Sequence, residues 1–284
     1  MKKMINRTLI EGFLVEKNMR GGVTKAGVPY IGGKLHIDTG NNNVIVVDVF
    51  EQQKTSKGLA NQKYDVLSGI FTNGKTIHDG SEDPTALRVN SAFELNDWMS
   101  DGEQRTSLIN SGGYITVVNN PNKRAEFEVD VVVKSVQPEI RNEQETGRAI
   151  VNGLIFNYRN HALPIRFVVE NKQGIEFFSN MNPNTFTKIW GVQVINTVGS
   201  QKTEESAFGN AKVVQSAYTR KENVITGAQT MPYEDEELTP EELNAAVQAR
   251  NIAVAERFKA PGPVTGGITP AQTPSKPKIG AFNF

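Results

Sequence analysis

Apolar and polar residues alternate over short stretches of the first 120 residues, and a period of two is typical of half-buried strands. In this half the pattern predicts five strands, at 10–15, 30–38, 44–50, 87–98 and 114–118. Breaks rich in glycine and asparagine separate them, as turns require. Between the third and fourth strands, residues 61–70 are more helical or irregular in pattern.

A similar order recurs in the second half, with strands predicted at 125–136, 148–158, 163–169, 186–195 and 211–218. A polar, charged break is expected at 137–146, and residues 174–182 interrupt the strands again. The sequence GGKLHID at 32–38 is echoed by VNGLIFN at 151–157, and each is followed by a polar turn and another apolar strand. The identity between the halves is too low to establish a duplication, although internal repeats of this kind indicate repeated architecture.

The order of elements favours one type of β fold over another. A strand, a long loop, a two-stranded hairpin, a short helical connection and a final hairpin make up the five-stranded OB barrel. Short strands at regular spacing also suit a β-sandwich. Because the helical segment follows the third strand in both halves, the sequence predicts a mainly β fold with two OB-like five-stranded barrels in tandem, at 1–123 and 124–230.

The composition changes at residue 231, where a third region, 231–284, begins. Thr239-Pro240-Glu241-Glu242 is a capping box with proline at the first helical position, so a helix is predicted over 239–259. Its apolar face is thin. The remainder is rich in proline and glycine and buries too little apolar area to order itself, so a disordered C-terminal tail is expected.

Enzymatic chemistry finds little support in the sequence. There is no cysteine, and the three histidines, His36, His78 and His161, are far apart, so neither a metal site nor a cofactor is expected. The motifs GxGxxG, GxSxG and HExxH are absent. Adjacent acids such as Glu82-Asp83 are typical of solvated loops. No apolar run approaches the length of a signal peptide or a membrane span, so we expect a non-enzymatic protein of the cytoplasm.

Charge is balanced overall but segregated along the chain. The 31 basic and 31 acidic residues give a formal net charge of zero, which by itself argues against a protein that binds phosphate backbones. Residues 1–70, however, carry ten Lys and Arg against six Asp and Glu. Acidic residues crowd instead into 234–242. The basic excess therefore lies at the front of the chain.

The second predicted strand carries the first binding candidates. Alternation sends Ile31, Leu35 and Ile37 to one face, as core, and an aromatic ring, a cation and an imidazole to the other: Tyr30, Lys34 and His36. Unpaired bases stack on aromatic rings and phosphates contact Lys and Arg, so this row suits a single strand. The alternative is an ordinary amphipathic strand with a polar outer face.

Other candidates have the same two residue types. The loop before this strand is glycine-rich and basic, and is expected either to close over a backbone or to be a plain surface loop; its cations are Lys17, Arg20 and Lys25. Phe50, Lys54, Lys57 and Lys63 continue the pattern past the third strand, although Asp48 shares the outward parity of Phe50. The second half supplies Arg148, Tyr158, Arg159, Arg166, Lys188 and Trp190. Trp190 either stacks on a base or anchors the barrel core.

These features resemble the tandem OB-fold single-stranded-DNA-binding proteins of bacteriophages, over about residues 8–225. The resemblance rests on the strand order, the GGKLHID hairpin followed by VIVVDVF, the weaker echo in the second half, and the tail. It implies a DNA coat that protects single strands in replication and recombination, in a host cytoplasm. It also implies a C-terminal arm whose tip, with Phe282 and Phe284, recruits replication or recombination proteins.

The tail departs from the pattern of the bacterial relatives. In those proteins acidic residues immediately precede the terminal phenylalanine, whereas Lys276 and Lys278 do so here, and the acidic cluster lies about forty residues earlier. Partner recruitment by that route is therefore in doubt, and the acids are alternatively expected to compete with DNA for the basic face. A second hypothesis, a structural or scaffold protein that binds other proteins, is consistent with the net neutrality and the acidic stretch.

Overall fold

The computed structural model describes residues 4–204, 208, 212–234 and 238–258, with side chains described except at 196–204 and 212–219. These residues form ten strands: β1 (Asn6–Val23), β2 (Pro29–Asp38), β3 (Val44–Gln52), β4 (Ala86–Ser100), β5 (Glu103–Val117), β6 (Arg124–Arg141), β7 (Gln144–Phe156), β8 (Ala162–Val169), β9 (Thr185–Glu204) and β10 (Lys212–Ala228). Three helices join them: α1 (Gln62–Asn73), α2 (Lys172–Ser179) and α3 (Pro240–Phe258).

Strands β1 to β5 close into the first barrel. β1 pairs with β2, β2 with β3, β3 with β5, β5 with β4, and β4 returns to β1; all these pairs are antiparallel except β3–β5. The alternation predicted for β2 is confirmed, because Ile31, Leu35 and Ile37 are buried. They pack with Leu14 and Leu67 in one apolar cluster. The contact between β3 and β5 that closes the barrel is short, because only Val47 and Asp48 pair with Asn110 and Ser111.

Strands β6 to β10 repeat the arrangement as a second barrel, in the order β6–β7–β8–β10–β9 and back to β6, with β8–β10 as the parallel pair. The predicted fold class is confirmed: a mainly β protein of two five-stranded barrels in tandem, followed by a helix. Each barrel has its helix after its third strand, α1 in the first and α2 in the second. The predicted disordered tail lies outside the described residues.

A direct strand pairing joins the two barrels. β1 pairs antiparallel with β6, from Asn6 opposite Val129 to Glu11 opposite Arg124. β4 also contributes Phe93 and Leu95 to the core of the second barrel. The ring of Phe93 lies 5.8 Å from that of Phe127. The ten strands therefore form one continuous hydrogen-bonded sheet.

A buried carboxylate supports this junction. Glu11 on β1 is fully buried, and its two oxygens lie 3.0 Å from the guanidinium groups of Arg88 and Arg124. The hydrogen bond from Arg88 lowers the pKa of Glu11; burial opposes this, and the contacts of Asn122 and Arg124 reinforce it. A carboxylate held this way stays charged, and removing either arginine would leave part of that charge unpaired.

Amide side chains make a second link between the barrels. Asn110 on β5 and Gln193 on β9 exchange reciprocal hydrogen bonds of 2.9 and 3.0 Å, and both residues are buried. Asn43, in the turn before β3, donates to the Gln193 carbonyl at 2.9 Å and accepts from the Ile195 backbone N–H at 2.7 Å. These bonds hold the β3–β5 side of one barrel against β9 of the other.

The break predicted at 137–146 is wrong. β6 and β7 continue as a two-stranded ribbon to a turn at Asn142 and Glu143, whose φ angles of 49° and 65° fit a tight hairpin turn. β4 and β5 extend in the same way to Asp101 and Gly102. Ribbons that leave the barrels have polar residues on both faces, so their sequence shows no alternation.

The C-terminal helix begins where the capping box predicts. The Thr239 N–H donates to Glu242 Oε2 at 3.1 Å, and the Glu242 N–H donates to Thr239 Oγ1 at 3.3 Å. The helix packs on the second barrel, where Ala246 is buried in a cluster with Phe156 and Phe186. Arg250 binds the buried carboxylate of Asp97 through both of its oxygens, at 2.7 and 2.6 Å. Helix α3 is therefore part of the folded body.

We predict that Asn110→Ala lowers the free energy of unfolding by about 1–3 kcal/mol, because the buried Gln193 amide loses both of its side-chain hydrogen bonds. Urea denaturation measures the change. The matched control is Asn152→Ala, which removes an exposed hydrogen bond to Ser135 and is expected to cost less than about 0.5 kcal/mol. Equal losses in the two variants would contradict the role given to the amide pair.

Candidate nucleic-acid interface

A groove of about 660 Å³ lies between the two barrels. Its walls come from β2 and β3 on one side and from β8, β9 and β10 on the other, and residues 106–110 of β5 complete the lining. The outer face of β2 and β3, where the sequence predicts binding residues, is thus turned towards β8, β9 and β10 of the second barrel. The charged residues that line the groove are Lys34, Asp48, Arg166, Arg220, Lys221 and Glu222.

The groove has an excess of positive charge among its described residues. Four cations face two carboxylates, Asp48 and Glu222. Asp48 lies directly opposite Lys34 in the β2–β3 register. This position on the outer face agrees with the alternation in the sequence, and the carboxylate offsets part of the positive charge of the groove. Glu222 is buried and faces guanidinium groups. The remaining positive charge suits a chain of phosphates, although the chain as a whole is neutral.

An ion-pair cluster adjoins the second-barrel wall of the groove. Two buried carboxylates, Glu139 on β6 and Glu222 on β10, lie among the guanidinium groups of Arg141, Arg148, Arg166 and Arg220. Burial alone would raise the pKa of Glu139, but hydrogen bonds from Arg220 and Thr146, with the charges of Arg148 and Arg220, outweigh it and lower that pKa to about 2. The cluster therefore stays charged across the physiological range.

The arginines of this cluster differ in how exposed each guanidinium group is and in how closely it binds the buried carboxylates. Arg148 is only 18% exposed and binds Glu222 at 2.8 Å, so its guanidinium is held by carboxylates rather than presented to a ligand. Arg166 is 52% exposed, and its ion pair with Glu139 is longer, at 3.5 Å. Of these two predicted binding residues, Arg166 is the open cation on the groove.

His36 is half-buried on β2, so its imidazole is not fully presented to a ligand. Its Nδ1 is 4.0 Å from Glu16, and its Nε2 is buried and has no hydrogen-bond partner among the described atoms. Burial lowers the pKa of His36, and nearby Lys34, Lys221 and His78 lower it further, against the charge of Glu16. The imidazole is therefore neutral at neutral pH and contributes no positive charge to the row on β2.

Aromatic residues form a group at the far end of the same face. The rings of Tyr30 and Phe50 lie 5.3 Å apart, and Phe50 is exposed above Gly32. Tyr114 on β5 is 67% exposed, and the ammonium of Lys63 on α1 lies 4.1 Å above its ring. The sequence pattern predicts Tyr114 in a strand but does not single it out as a candidate binding residue. The sequence feature that could have identified Tyr114 is the pair of glycines before it, Gly112 and Gly113.

The basic loop expected between the first two strands is mostly strand. β1 and β2 stay paired from Phe13 opposite Asp38 to Val23 opposite Pro29, so the prediction of a mobile loop is wrong. Polar residues on both sides of this ribbon hid it from the alternation pattern. The ammonium of Lys17 binds the Phe71 carbonyl at 2.9 Å, at the C-terminus of α1. Exposed cations remain at Arg20, Lys25, Lys54 and Lys57.

Four predicted residues of the second barrel lie outside the groove. Tyr158 is exposed on the β7–β8 turn, and the guanidinium of Arg159 lies 5.2 Å from its ring. Lys188 pairs with Glu128 at 3.8 Å. Trp190 is 41% exposed on the outer face of β9 and packs against Gly227, so it is not a core anchor. Phe282 and Phe284 lie outside the described residues.

The described part of the chain contains neither a membrane-spanning helix nor a metal-binding cluster. No helix there has the length and apolarity to cross a membrane. No group of three or more His, Asp or Glu side chains there is arranged to hold a metal ion.

Comparisons with known proteins give one family and one fold. The model of the family described as YorF matches residues 5–260. No curated protein matches the chain. The chain is similar to the crystal structure of the wild-type single-stranded DNA binding protein from Thermus aquaticus. The match covers 82% of this chain and 96% of that chain, with 12% sequence identity and a TM-score of 0.50. The match to a deletion mutant of that protein covers 85% of this chain and 100% of the mutant chain, with 13% sequence identity and a TM-score of 0.50. At this identity the likeness shows the fold alone.

We predict that Glu139→Gln lowers the free energy of unfolding by about 3–5 kcal/mol at pH 7, because the arginines lose a buried counter-ion. The folded pKa of about 2 lies below the unfolded value of about 4.3, so the carboxylate stabilises fully above about pH 5 and loses this effect as the pH falls towards 2. The gap between wild type and variant in urea denaturation should therefore narrow from pH 6 to pH 3.

The control for this pH series is Glu103→Gln, at an exposed position in the β4–β5 hairpin. Its effect is expected to stay within about 0.5 kcal/mol at every pH. A gap for Glu139→Gln that stays constant or widens on acidification would contradict the ion-pair account.

Proposed function

We propose that this chain, which belongs to the YorF family, binds single-stranded DNA along the groove between its two barrels. The observation that carries the proposal is the convergence of the two barrels' outer faces on one positively charged groove. Lys34 stands on one wall, and Arg166, Arg220 and Lys221 stand on the other. The fold shared with the Thermus aquaticus single-stranded DNA binding protein supports the same assignment.

The binding is expected to tolerate many sequences. A phosphate backbone is the same in every sequence, and Lys and Arg neutralise it without reading bases. The exposed ring of Phe50 and the half-buried ring of Tyr30 continue the β2–β3 face and can stack on any base, because every base has a π-face. A duplex holds its bases inside and cannot use these rings, so a preference for single strands follows.

The biological role that we propose is a coat for exposed single strands in replication or recombination, as in the phage proteins that the sequence resembles. The proposal contains no catalytic step. Its units are the two barrels, at 1–123 and 124–230, which act on one strand together. The segment 231–284 then serves other proteins, through its terminal Phe282 and Phe284.

We predict that Lys34→Gln and Arg166→Gln each weaken binding to a fluorescent oligo-dT. Each variant should also reduce the slope of log affinity against log salt concentration by about 0.7, the value for one lost phosphate contact on a single strand. Arg105→Gln is the matched control, because Arg105 is also 52% exposed but lies at the tip of the β4–β5 ribbon. Titrations by fluorescence anisotropy at several salt concentrations measure both quantities.

The groove assignment fails if Arg105→Gln changes the slope as much as the two groove variants do. It also fails if the wild type does not bind oligo-dT at low salt.

We predict that a chain ending at Phe258 binds oligo-dT with the affinity of the full chain, if the tail serves partner proteins only. The described part of the C-terminal region supports this end point, because α3 packs on the second barrel and its removal would expose Phe156 and Phe186. Anisotropy titration of the two proteins side by side makes the comparison. Weaker binding by the shorter chain would show instead that residues 259–284, whose only charged side chains are Lys259, Lys276 and Lys278, bind the DNA themselves.

A further inference from the structure

A small pocket on the first barrel has no role in the groove. We call it the aromatic pocket; it lies between Phe50 at the end of β3, Tyr114 on β5 and Lys63 on α1. Its volume is about 150 Å³. Pockets for drug-sized ligands measure about 300–1,000 Å³, so this one suits a single small ring system.

The two rings that bound the pocket are presented to solvent. Phe50 and Tyr114 are both more than half exposed, although a folded protein has little reason to expose two large rings side by side. Tyr30 packs against Phe50, with 30° between the ring planes. Phe50 is therefore held in place, and the three rings form a row that the pocket interrupts.

The backbone of β5 is shaped to turn Tyr114 outwards. β5 pairs with β3 only at Asn110 and Ser111, and Gly112 and Gly113 follow with φ angles of 66° and 102°. A Cβ on Gly113 would lie 1.6 Å from the carbonyl oxygen of Asn90, so no other residue fits there. Beyond Ser111 the edge of β5 leaves β3, and its peptide groups line the pocket beside Tyr114.

The ammonium of Lys63 occupies the ring face that a ligand would use. It lies 4.1 Å from the ring centroid of Tyr114. An exposed cation–π contact changes an equilibrium constant by only about 2- to 5-fold. Stacking of a nucleic-acid base on an aromatic side chain is worth about 5- to 150-fold. A base can therefore displace the ammonium, which stays close enough to pair with a phosphate.

The pocket is also continuous with the proposed path of the strand. Phe50 lies two residues beyond Asp48 on β3 and has the same outward parity, which places it about 7 Å further along the face. Asp48 lines the groove and Phe50 lines the pocket. One strand of DNA can thus contact both sites.

We infer that the aromatic pocket takes one unpaired base of the strand, stacked on Tyr114 in place of the Lys63 ammonium, which then pairs with the adjoining phosphate. The inference rests on the proposed function, because it assigns a base site to the same DNA strand. It adds a contact that the charged groove cannot supply, since the groove neutralises phosphates and the pocket holds a base.

The test compares Tyr114→Leu with Tyr114→Phe on two oligonucleotides of equal length, one of dT and one whose sugars carry no bases. Tyr114→Leu keeps the apolar bulk but loses the π-face, so it should weaken dT binding by about 5- to 150-fold and leave binding to the abasic strand unchanged. Tyr114→Phe keeps the ring and should bind dT within about 2-fold of wild type. Trp98→Leu is the control, at a partly exposed ring on the β4–β5 ribbon.

Equal dT affinity of Tyr114→Leu and wild type would overturn the inference while leaving the proposed function intact, provided that the wild type binds dT. Failure of the wild type to bind either strand would overturn the proposed function itself. A loss on both strands by Tyr114→Leu would also contradict a base site. Tyr114 is exposed, so thermal unfolding of all three variants should match wild type and exclude a folding defect.

The role proposed for Lys63 is tested by a second measurement, the salt dependence of dT binding. Lys63→Gln should reduce the salt slope of dT binding by about 0.7, because one phosphate contact is lost. The same change in a Tyr114→Leu background should leave the slope unaltered, because the base no longer docks. An unaltered slope in the otherwise wild-type chain would overturn the exchange proposed for Lys63.

Discussion

The antiparallel pairing of β1 with β6 is the constraint on which the rest of this structure depends. It turns two closed barrels into one sheet, and it runs for six residues on each strand. Phe93 and Leu95 then place side chains of the first barrel in the core of the second. Because the junction is built from backbone hydrogen bonds and shared core, the outer faces of β2–β3 and β8–β10 are held opposite each other. The groove is the space between them.

Buried carboxylates reconcile a neutral chain with a positive groove. Glu11, Glu139 and Glu222 are each buried among arginines, where they act as internal counter-ions and are not exposed acids. Their charge lowers the net charge of the chain, but each carboxylate is neutralised by neighbouring guanidinium groups. Arg166 and Lys34 remain open on the groove walls. The formal charge of zero is therefore a weak guide to what the surface binds, because the position of each charge decides the local field.

Local patterns in the sequence predict much of this fold. Alternation identified β2 and β3 to within two residues, and the capping box identified the start of α3. The exposed ribbons were missed because both of their faces are polar. The site was predicted less well, since the partners of Arg148 and Lys17 lie far along the chain, at Glu222 and Phe71. Tyr114 was missed because its exposure depends on where β5 leaves β3, which no local pattern records.

The central claim is that the paired barrels bind an unpaired strand and exclude a duplex. The most direct measurement is a competition titration, in which a labelled oligo-dT bound to the full chain is challenged with unlabelled oligo-dT or with a duplex of equal length, at two salt concentrations. The account predicts that the unlabelled single strand displaces the label at far lower concentration than the duplex does, and that higher salt weakens binding. Equal displacement by the two competitors, or an affinity that does not change with salt, would contradict it.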